Sequence, residues 1–297
     1  MSERKPEPRT VLEFLGRAHE FLAARGVASA RLDAEVLLAS VLGIDRVGVY
    51  LRFDQPLAAR EVDAYRELLR CRAAGTPVAY LTGTREFWSV PLAVTPDVLI
   101  PRPETELLVE RVLAGRVDGE PRILDLGTGS GALAIALARE LPAARVVAVD
   151  VSPAAVTVAT ANAARAGVAE RVTVVVGSWT SPLDAAARFD VIVSNPPYVP
   201  TAVLAGLASE VRAEPALALD GGEDGLAAYR ILVPQAAARL APGGRLLLEV
   251  GEGQAEAVAA IAVAAGLEGV AWHADLAGIA RVVTASVAAS ALAEVAV

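Results

Sequence analysis

The chain has 297 residues, 54% hydrophobic and 21% charged, enough apolar material for a sizeable core and enough length for a large and a small domain. No apolar run reaches the length of a membrane span, and the opening Met-Ser-Glu-Arg-Lys-Pro-Glu-Pro lacks the apolar segment of a secretion signal, so a membrane protein is not expected and the cytoplasm is the expected location. The net charge is −8 and Lys5 is the only lysine, with the other cations being arginines dispersed along the chain, a balance that argues against a nucleic-acid partner.

Residues 10–82 read as helical. Val11, Leu12, Phe14 and Leu15, then Phe21 and Leu22, recur at helical spacing, as do Leu32, Val36, Leu37, Leu38, Val41 and Leu42 before Gly43, a residue suited to a helix C-terminus. A third helix is predicted from Ala58 to Ala74, halted by Gly75-Thr76-Pro77. These make a helical domain over 1–82 of three or four elements. Thr84 to Val94 predicts a hairpin, with Pro91 near its turn, inside a linking region over 83–106 that ends in the rigid, charged run Ile100-Pro-Arg-Pro-Glu-Thr-Glu106.

Over 107–297 strands alternate with helices, the pattern of a parallel sheet covered on both faces, hence an α/β fold. Strands are predicted at Ile123–Leu126, Arg145–Asp150, Val172–Val176, Val191–Val193 and Arg245–Val250, with two more near Gly269–Trp272 and Ile279–Thr284. Helices fall at Gly131–Leu141, Pro153–Ala166, Gly225–Leu240 (stopped by Pro242-Gly243-Gly244) and Gln254–Ala265. The last dozen residues, rich in Ala, Ser and Val, give no firm pattern. His19 falls in a surface helix and His273 near a strand end, and Cys71 is the only cysteine, so a histidine triad, a disulfide or a metal site has almost no material to work with.

Asp125-Leu-Gly127-Thr128-Gly129-Ser130-Gly131 joins the first sheet strand to its helix. Alternating glycines permit a tight turn and close approach of a ligand to the backbone, beside free N–H groups at the helix start. Asp150, at the tip of the next strand, is placed to accept from two ribose hydroxyls. The spacing also fits a dinucleotide fingerprint, so the loop points to a nucleoside-containing cofactor without choosing between a nicotinamide and S-adenosylmethionine. Asp125 reads equally as a carboxylate serving the helix start or as one facing a methionine amino group. Trp179, after the third strand, could lie flat on adenine or belong to the core. A phosphate-binding P-loop is excluded, because no Gly-Lys-Ser/Thr occurs.

Asn195-Pro196-Pro197-Tyr198 tilts the choice. It follows the fourth strand, on the edge where open α/β sheets bind ligands. The prolines end the strand and carry no N–H to compete for carbonyl oxygens. Such a corner suits a planar –NH2 group: the Asn195 side-chain oxygen and the Pro196 carbonyl take its two hydrogens and Tyr198 covers its face. A nucleic-acid methyltransferase acting on an exocyclic base nitrogen would match the same corner but would need a basic channel.

Residues 77 to about 284 resemble the release-factor glutamine methyltransferases, the PrmC or HemK family. The resemblance rests on Pro77-Val-Ala-Tyr-Leu-Thr-Gly83, Phe87-Trp88, Leu99-Ile-Pro-Arg-Pro-Glu-Thr-Glu106, the glycine loop, Val149-Asp150, Ser194-Asn-Pro-Pro-Tyr198, Leu219-Asp-Gly-Gly-Glu-Asp-Gly225 and Glu249-Val-Gly251. It implies a Rossmann-like seven-stranded AdoMet-dependent methyltransferase sheet with its last strand antiparallel, and an N-terminal helical domain that docks the substrate. The implied acceptor is the glutamine of the Gly-Gly-Gln motif in peptide chain release factors, and the implied cofactor is S-adenosyl-L-methionine. Carried over by motif, Gly127, Thr128, Gly129, Ser130, Gly131, Asp150, Trp179 and Asn195 bind cofactor. Asn195, Pro196, Pro197 and Tyr198 hold the glutamine amide, with Asn195, Pro196 and Tyr198 catalytic. Ser178 departs from the pattern, standing where an acidic residue commonly contacts adenine. A monomer is expected, and the Asp220–Gly225 segment is expected to turn and cap, with Asp224 the capping residue.

Overall fold

Strand and helix starts follow local chemistry closely in the computed structural model, which describes residues 10–115 and 119–289. Lys5 and the chain end from 290 onward lie outside the described residues. The chain divides into two compact units, one formed by residues up to Gly83 together with Ala208–Ala213, the other by Thr84–Leu207 and Glu214 onward.

The first unit is helical: Val11–Ala23, Ala30–Leu42, Arg46–Leu51, Ala59–Ala73 and Val78–Thr82. Thr10 and Glu13 close a capping box on the first helix, and Gly43 ends the second in the left-handed region at φ 63°. Asp45 caps the short third helix through the Gly48 N–H at 2.7 Å. Phe14, Leu22, Leu37, Leu38, Val49 and Tyr65 form its core. Two apolar residues read into the buried stripe face water instead: Leu12 is 54% and Leu32 46% exposed. The buried Arg72 donates to Asp33 at 2.6 Å and to Glu210, a residue that enters this unit from much later in the chain. Asp33 and Arg72 are both buried, and removing either would cost about 3–5 kcal/mol as a broken buried pair, whereas Glu210 is half exposed.

The second unit opens with a hairpin of β1 (Thr84–Phe87) and β2 (Val90–Ala93). Its turn is Trp88-Ser89, not the vicinity of Pro91, which lies within β2 opposite Glu86. Both turn residues have positive φ, 50° and 56°, the conformation a two-residue hairpin loop demands and glycine or asparagine usually supplies. Trp88 is held there from both ends. Its backbone N–H donates to Glu106 and its indole N–H to Glu140, each at 2.8 Å.

A seven-stranded sheet follows, comprising β3 (Arg122–Leu126), β4 (Arg145–Asp150), β5 (Val172–Val176), β6 (Phe189–Ser194), β7 (Leu240–Glu249), β8 (Glu268–Ala274) and β9 (Ala280–Ser286). Their order is β5-β4-β3-β6-β7-β9-β8, parallel except that β9 runs antiparallel to both neighbours. Alternate residues serve opposite faces: Ile123, Val191, Val193 and Leu247 meet helices Glu106–Ala114 and Ala132–Glu140, while Leu124, Leu126, Ile192 and Leu248 meet Ala227–Ala237 and Ala255–Ala264. Burial on both faces is why these strands read as unbroken apolar runs. β7 begins earlier than its sequence suggests. Leu240 pairs with Phe189, then Pro242-Gly243-Gly244 bulges out and pairing resumes at Arg245. Because β3 is flanked by β4 on one side and β6 on the other, the chain reverses its direction of sheet growth there, opening a crevice at the carboxyl ends of β3 and β6.

Candidate active site

Gly127, Gly129 and Gly131 all have positive φ (74°, 55° and 84°), so each alternate residue after β3 takes a conformation that side chains disfavour. At Gly131 space also excludes a side chain, since a Cβ would sit 3.2 Å from that of Ala159. Four of the loop's N–H groups are engaged within the fold, whereas among the described residues the Ala132 and Leu133 N–H groups at the helix start have no acceptor. Gly127 and Thr128 both donate to the Val149 carbonyl, Gly129 to Asp150 Oδ2 at 2.8 Å and Gly131 to the Thr128 carbonyl. These donors are consumed in folding the loop. Asp150 is thereby fixed, its Oδ1 accepting from Ser152 N–H at 2.9 Å.

A cavity of about 310 Å³ lies in the crevice. Its walls are Asp97–Leu99, the glycine loop, the ends of β4 and β5, Asn195 with Pro197, and the segment around Leu217. Asp97 and Asp150 are its charged lining residues, and no lysine, arginine or histidine lines it. Glu214, 5% exposed, accepts from Ile100 N–H at 3.0 Å and from Arg102, tying the proline-rich linker to the wall that carries Leu217. Trp179, at φ 51°, presents one side to the cavity and packs the other against the core under helix Ala227–Ala237, so both readings of it hold in part. Ser178 also lines the cavity, and its backbone N–H donates to the Ser181 hydroxyl.

Of the residues singled out by sequence, Gly127, Gly129, Asp150, Trp179, Asn195 and Pro197 come together around this space. Thr128, Ser130, Gly131, Pro196 and Tyr198 do not line it, and Tyr198 packs against the core that helix Ala227–Ala237 covers. The Thr128 hydroxyl donates to Asp125, the buried Ser130 offers its carbonyl to Asn162, and Gly131 caps the following helix. Asp125 Oδ2 takes the Thr128 hydroxyl and the Ala134 N–H, which is the helix-start role. Asp97 and Val98 went unread, and Leu99 was noticed only as the first residue of Leu99-Ile-Pro-Arg-Pro-Glu-Thr-Glu106, without a place in the cavity wall.

The Asn-Pro-Pro-Tyr corner leaves β6 with Ser194 donating to the Leu126 carbonyl at 2.6 Å, which ties it to the glycine loop. Asn195 Nδ2 donates to the Thr105 hydroxyl at 3.2 Å. Among the described residues nothing donates to Asn195 Oδ1 or to the Pro196 carbonyl. The Tyr198 carbonyl takes Gln254 Nε2 at 2.9 Å, and a Cβ at Gly225 would stand 2.4 Å from that same oxygen. Gly221 and Gly251 also lie against Tyr198, where a Cβ would come within 2.8 Å of its carbonyl carbon and 3.1 Å of its ring, respectively. Val199 bridges to Asp220, and Asp224 accepts from Leu226 N–H while pairing with Arg230.

Comparison with known proteins places this geometry. Residues 13–83 match the PrmC N-terminal domain and residues 103–221 the methyltransferase small domain. The chain is 50% identical over 255 residues to a release factor glutamine methyltransferase of Geobacter sulfurreducens, covering 86% of this chain and 88% of that one. It is also 50% identical over 259 residues to one of Moorella thermoacetica, covering 86% and 91%. The chain belongs to the release factor glutamine methyltransferase family. Among solved structures, the catalytic domain of hMettl16, in complex with a MAT2A 3'UTR hairpin, is similar at a TM-score of 0.55 and 14% identity, covering 79% of this chain and 83% of that one; this is a likeness of fold alone. Among the described residues of this methyltransferase no helix is long and apolar enough to cross a membrane.

Two buried carboxyls in the methyltransferase are held well above their ordinary range. Burial pushes Asp125 up to about 7, against the pull of the Thr128 hydroxyl and Ala134 N–H. Burial likewise pushes Glu249 up to about 7, opposed by the Thr105 and Tyr198 hydroxyls and Arg281 and reinforced by Glu104. A group that holds its proton more tightly folded than unfolded stabilises the fold below its unfolded pKa, and that contribution is lost as pH rises through the folded value. The urea midpoint is therefore expected to fall between about pH 4 and pH 7, each group contributing on the order of a few kcal/mol. Asp125→Asn and Glu249→Gln should each flatten the profile; a midpoint that stays level across this window in the parent protein would contradict it.

Proposed function

We propose that this chain transfers a methyl group from S-adenosyl-L-methionine to the side-chain amide nitrogen of the glutamine in the Gly-Gly-Gln motif of a peptide chain release factor, acting as a monomer in the cytoplasm. The observation that supports this reading is the pair of acceptors that no described residue bonds, Asn195 Oδ1 in the wall of a cavity lined by carboxylates and the carbonyl of Pro196, the residue between the lining residues Asn195 and Pro197.

The lining suits the cofactor. Its two carboxylates and absence of cationic side chains favour a ligand bearing a sulfonium and an ammonium, and disfavour a pyrophosphate. Asp150, braced by two backbone N–H groups, would accept from both ribose hydroxyls; Trp179 would cover the adenine; Gly127 and Gly129 would let the ligand approach the backbone. The cofactor supplies an electrophilic methyl group.

An amide nitrogen is a poor nucleophile because its lone pair is delocalised into the carbonyl, the resonance behind a peptide rotation barrier of about 18–20 kcal/mol. The chain's contribution is placement. Asn195 Oδ1 and the Pro196 carbonyl would accept the two glutamine N–H bonds, fix the nitrogen's direction and stabilise positive charge developing on it. Pro197 shapes the wall beside it, and Tyr198 would pack against the amide plane. No base is needed beforehand, since the nitrogen becomes acidic only once methylated and then releases one of its two protons to solvent. The N-terminal domain over 1–82 would dock the release factor.

Incubating the protein with methyl-labelled AdoMet and a release factor tests this. Label is expected on the release factor and absent from a Gln→Ala variant of its Gly-Gly-Gln motif. Equal label on both proteins, or label on added RNA instead, would overturn the assignment.

A further inference from the structure

Thr105 lies outside the Asn-Pro-Pro-Tyr motif and does not line the cavity, yet it is 5% exposed and takes the Asn195 amide hydrogen at 3.2 Å. A threonine hydroxyl has one proton and two lone pairs. With a lone pair accepting from Asn195, the proton needs an acceptor. The group facing it is the carboxyl of Glu249, 2% exposed at the end of β7. Glu249 Oε1 takes the Tyr198 hydroxyl at 3.4 Å, while Oε2 is buried without a partner among the described residues. The Tyr229 hydroxyl holds the Glu249 backbone carbonyl at 2.7 Å. A buried oxygen without a partner costs free energy, and a small rotation of the neighbouring Thr105 hydroxyl towards the Glu249 carboxylate would relieve it.

Hydrogen-bond direction then propagates. When ionised, above about pH 7, Glu249 can only accept and so orients the Thr105 proton; the spent proton leaves Thr105 only lone pairs for Asn195, and Asn195 must offer its NH2 side there. Its oxygen is left for the cavity. The opposite amide orientation would put Asn195 Oδ1 against an oxygen whose proton is already committed. We propose that Thr105, aligned by Glu249, is a positioning residue that fixes the Asn195 side chain with its oxygen towards the glutamine amide.

This rests on Asn195 accepting from the substrate, so the test carries both. Thr105→Val, close in shape and lacking the hydroxyl, is expected to lower kcat about 10-fold while AdoMet affinity and the melting temperature stay near the parent values. Thr105→Ser is expected to restore most of the rate. A Thr105→Val protein with parent kcat overturns the proposal, as does a serine variant no faster than valine. Should Thr105→Val fail to fold, Thr105→Ala, which only removes atoms, is compared with Thr105→Ser in the same way. Asn195→Ala in the same assay separates the two ideas: an active Asn195→Ala removes the site reading itself, whereas an inactive Asn195→Ala beside a fully active Thr105→Val removes only the role of Thr105.

Discussion

Asn195→Ala is expected to lower methyl transfer by about 10- to 100-fold at saturating AdoMet. The expectation follows from the loss of one buried acceptor, worth roughly 1–3 kcal/mol when felt wholly in the transition state. The substitution removes no core packing, since Asn195 is only half-buried and its bonded partner is a single hydroxyl. Cofactor affinity should therefore shift less than about tenfold, although Asn195 forms part of the cavity wall. Single-turnover rates together with calorimetric titration of AdoMet separate the two quantities. A rate close to that of the parent would remove Asn195 from the chemistry. A loss confined to cofactor affinity would make it only a wall.

Asp150→Asn should raise the AdoMet dissociation constant by about 100-fold or more. Two hydrogen bonds to a charged acceptor contribute about 1.5–3 kcal/mol each, and each 1.4 kcal/mol is tenfold in affinity. The geometry sharpens the effect. Asp150 Oδ1 and Oδ2 each already accept a backbone N–H, from Ser152 and Gly129. An asparagine must turn its NH2 towards one of them, setting donor against donor and loosening the glycine loop or the following helix start. The apo protein should still fold, and turnover at saturating cofactor should remain near normal. An unchanged dissociation constant would show that the ribose lies elsewhere.

How much of this was legible in the sequence depended on the range of the interactions involved. The parallel strands were legible because burial on both faces writes itself as an apolar run, and Asn-Pro-Pro-Tyr because prolines mark a strand end without ambiguity. The hairpin turn was misplaced because Trp88 and Ser89 take left-handed conformations without glycine, held by Glu106 and Glu140, which lie 18 and 52 residues away. The glycine loop and its helix start were legible, but not that Gly127, Thr128 and Gly129 would donate to Val149 and Asp150, whose places are set by another strand. Thr105 and Glu249 gave no signal as partners of the corner. The four-residue helices Thr201–Leu204, Ser209–Arg212 and Ala216–Leu219 are too short to show a period.

Arg72 bears on how this protein can be dissected. Its two carboxylate partners are Asp33, close by in the chain, and Glu210, 138 residues further on. A fragment cut after Gly83 would carry the guanidinium away from one of its counter-ions, and the complementary fragment would retain Ala208–Ala213 with nothing of its own unit to fold upon. The helical part is thus discontinuous in the gene though continuous in space, and a deletion drawn at the apparent boundary would injure both halves.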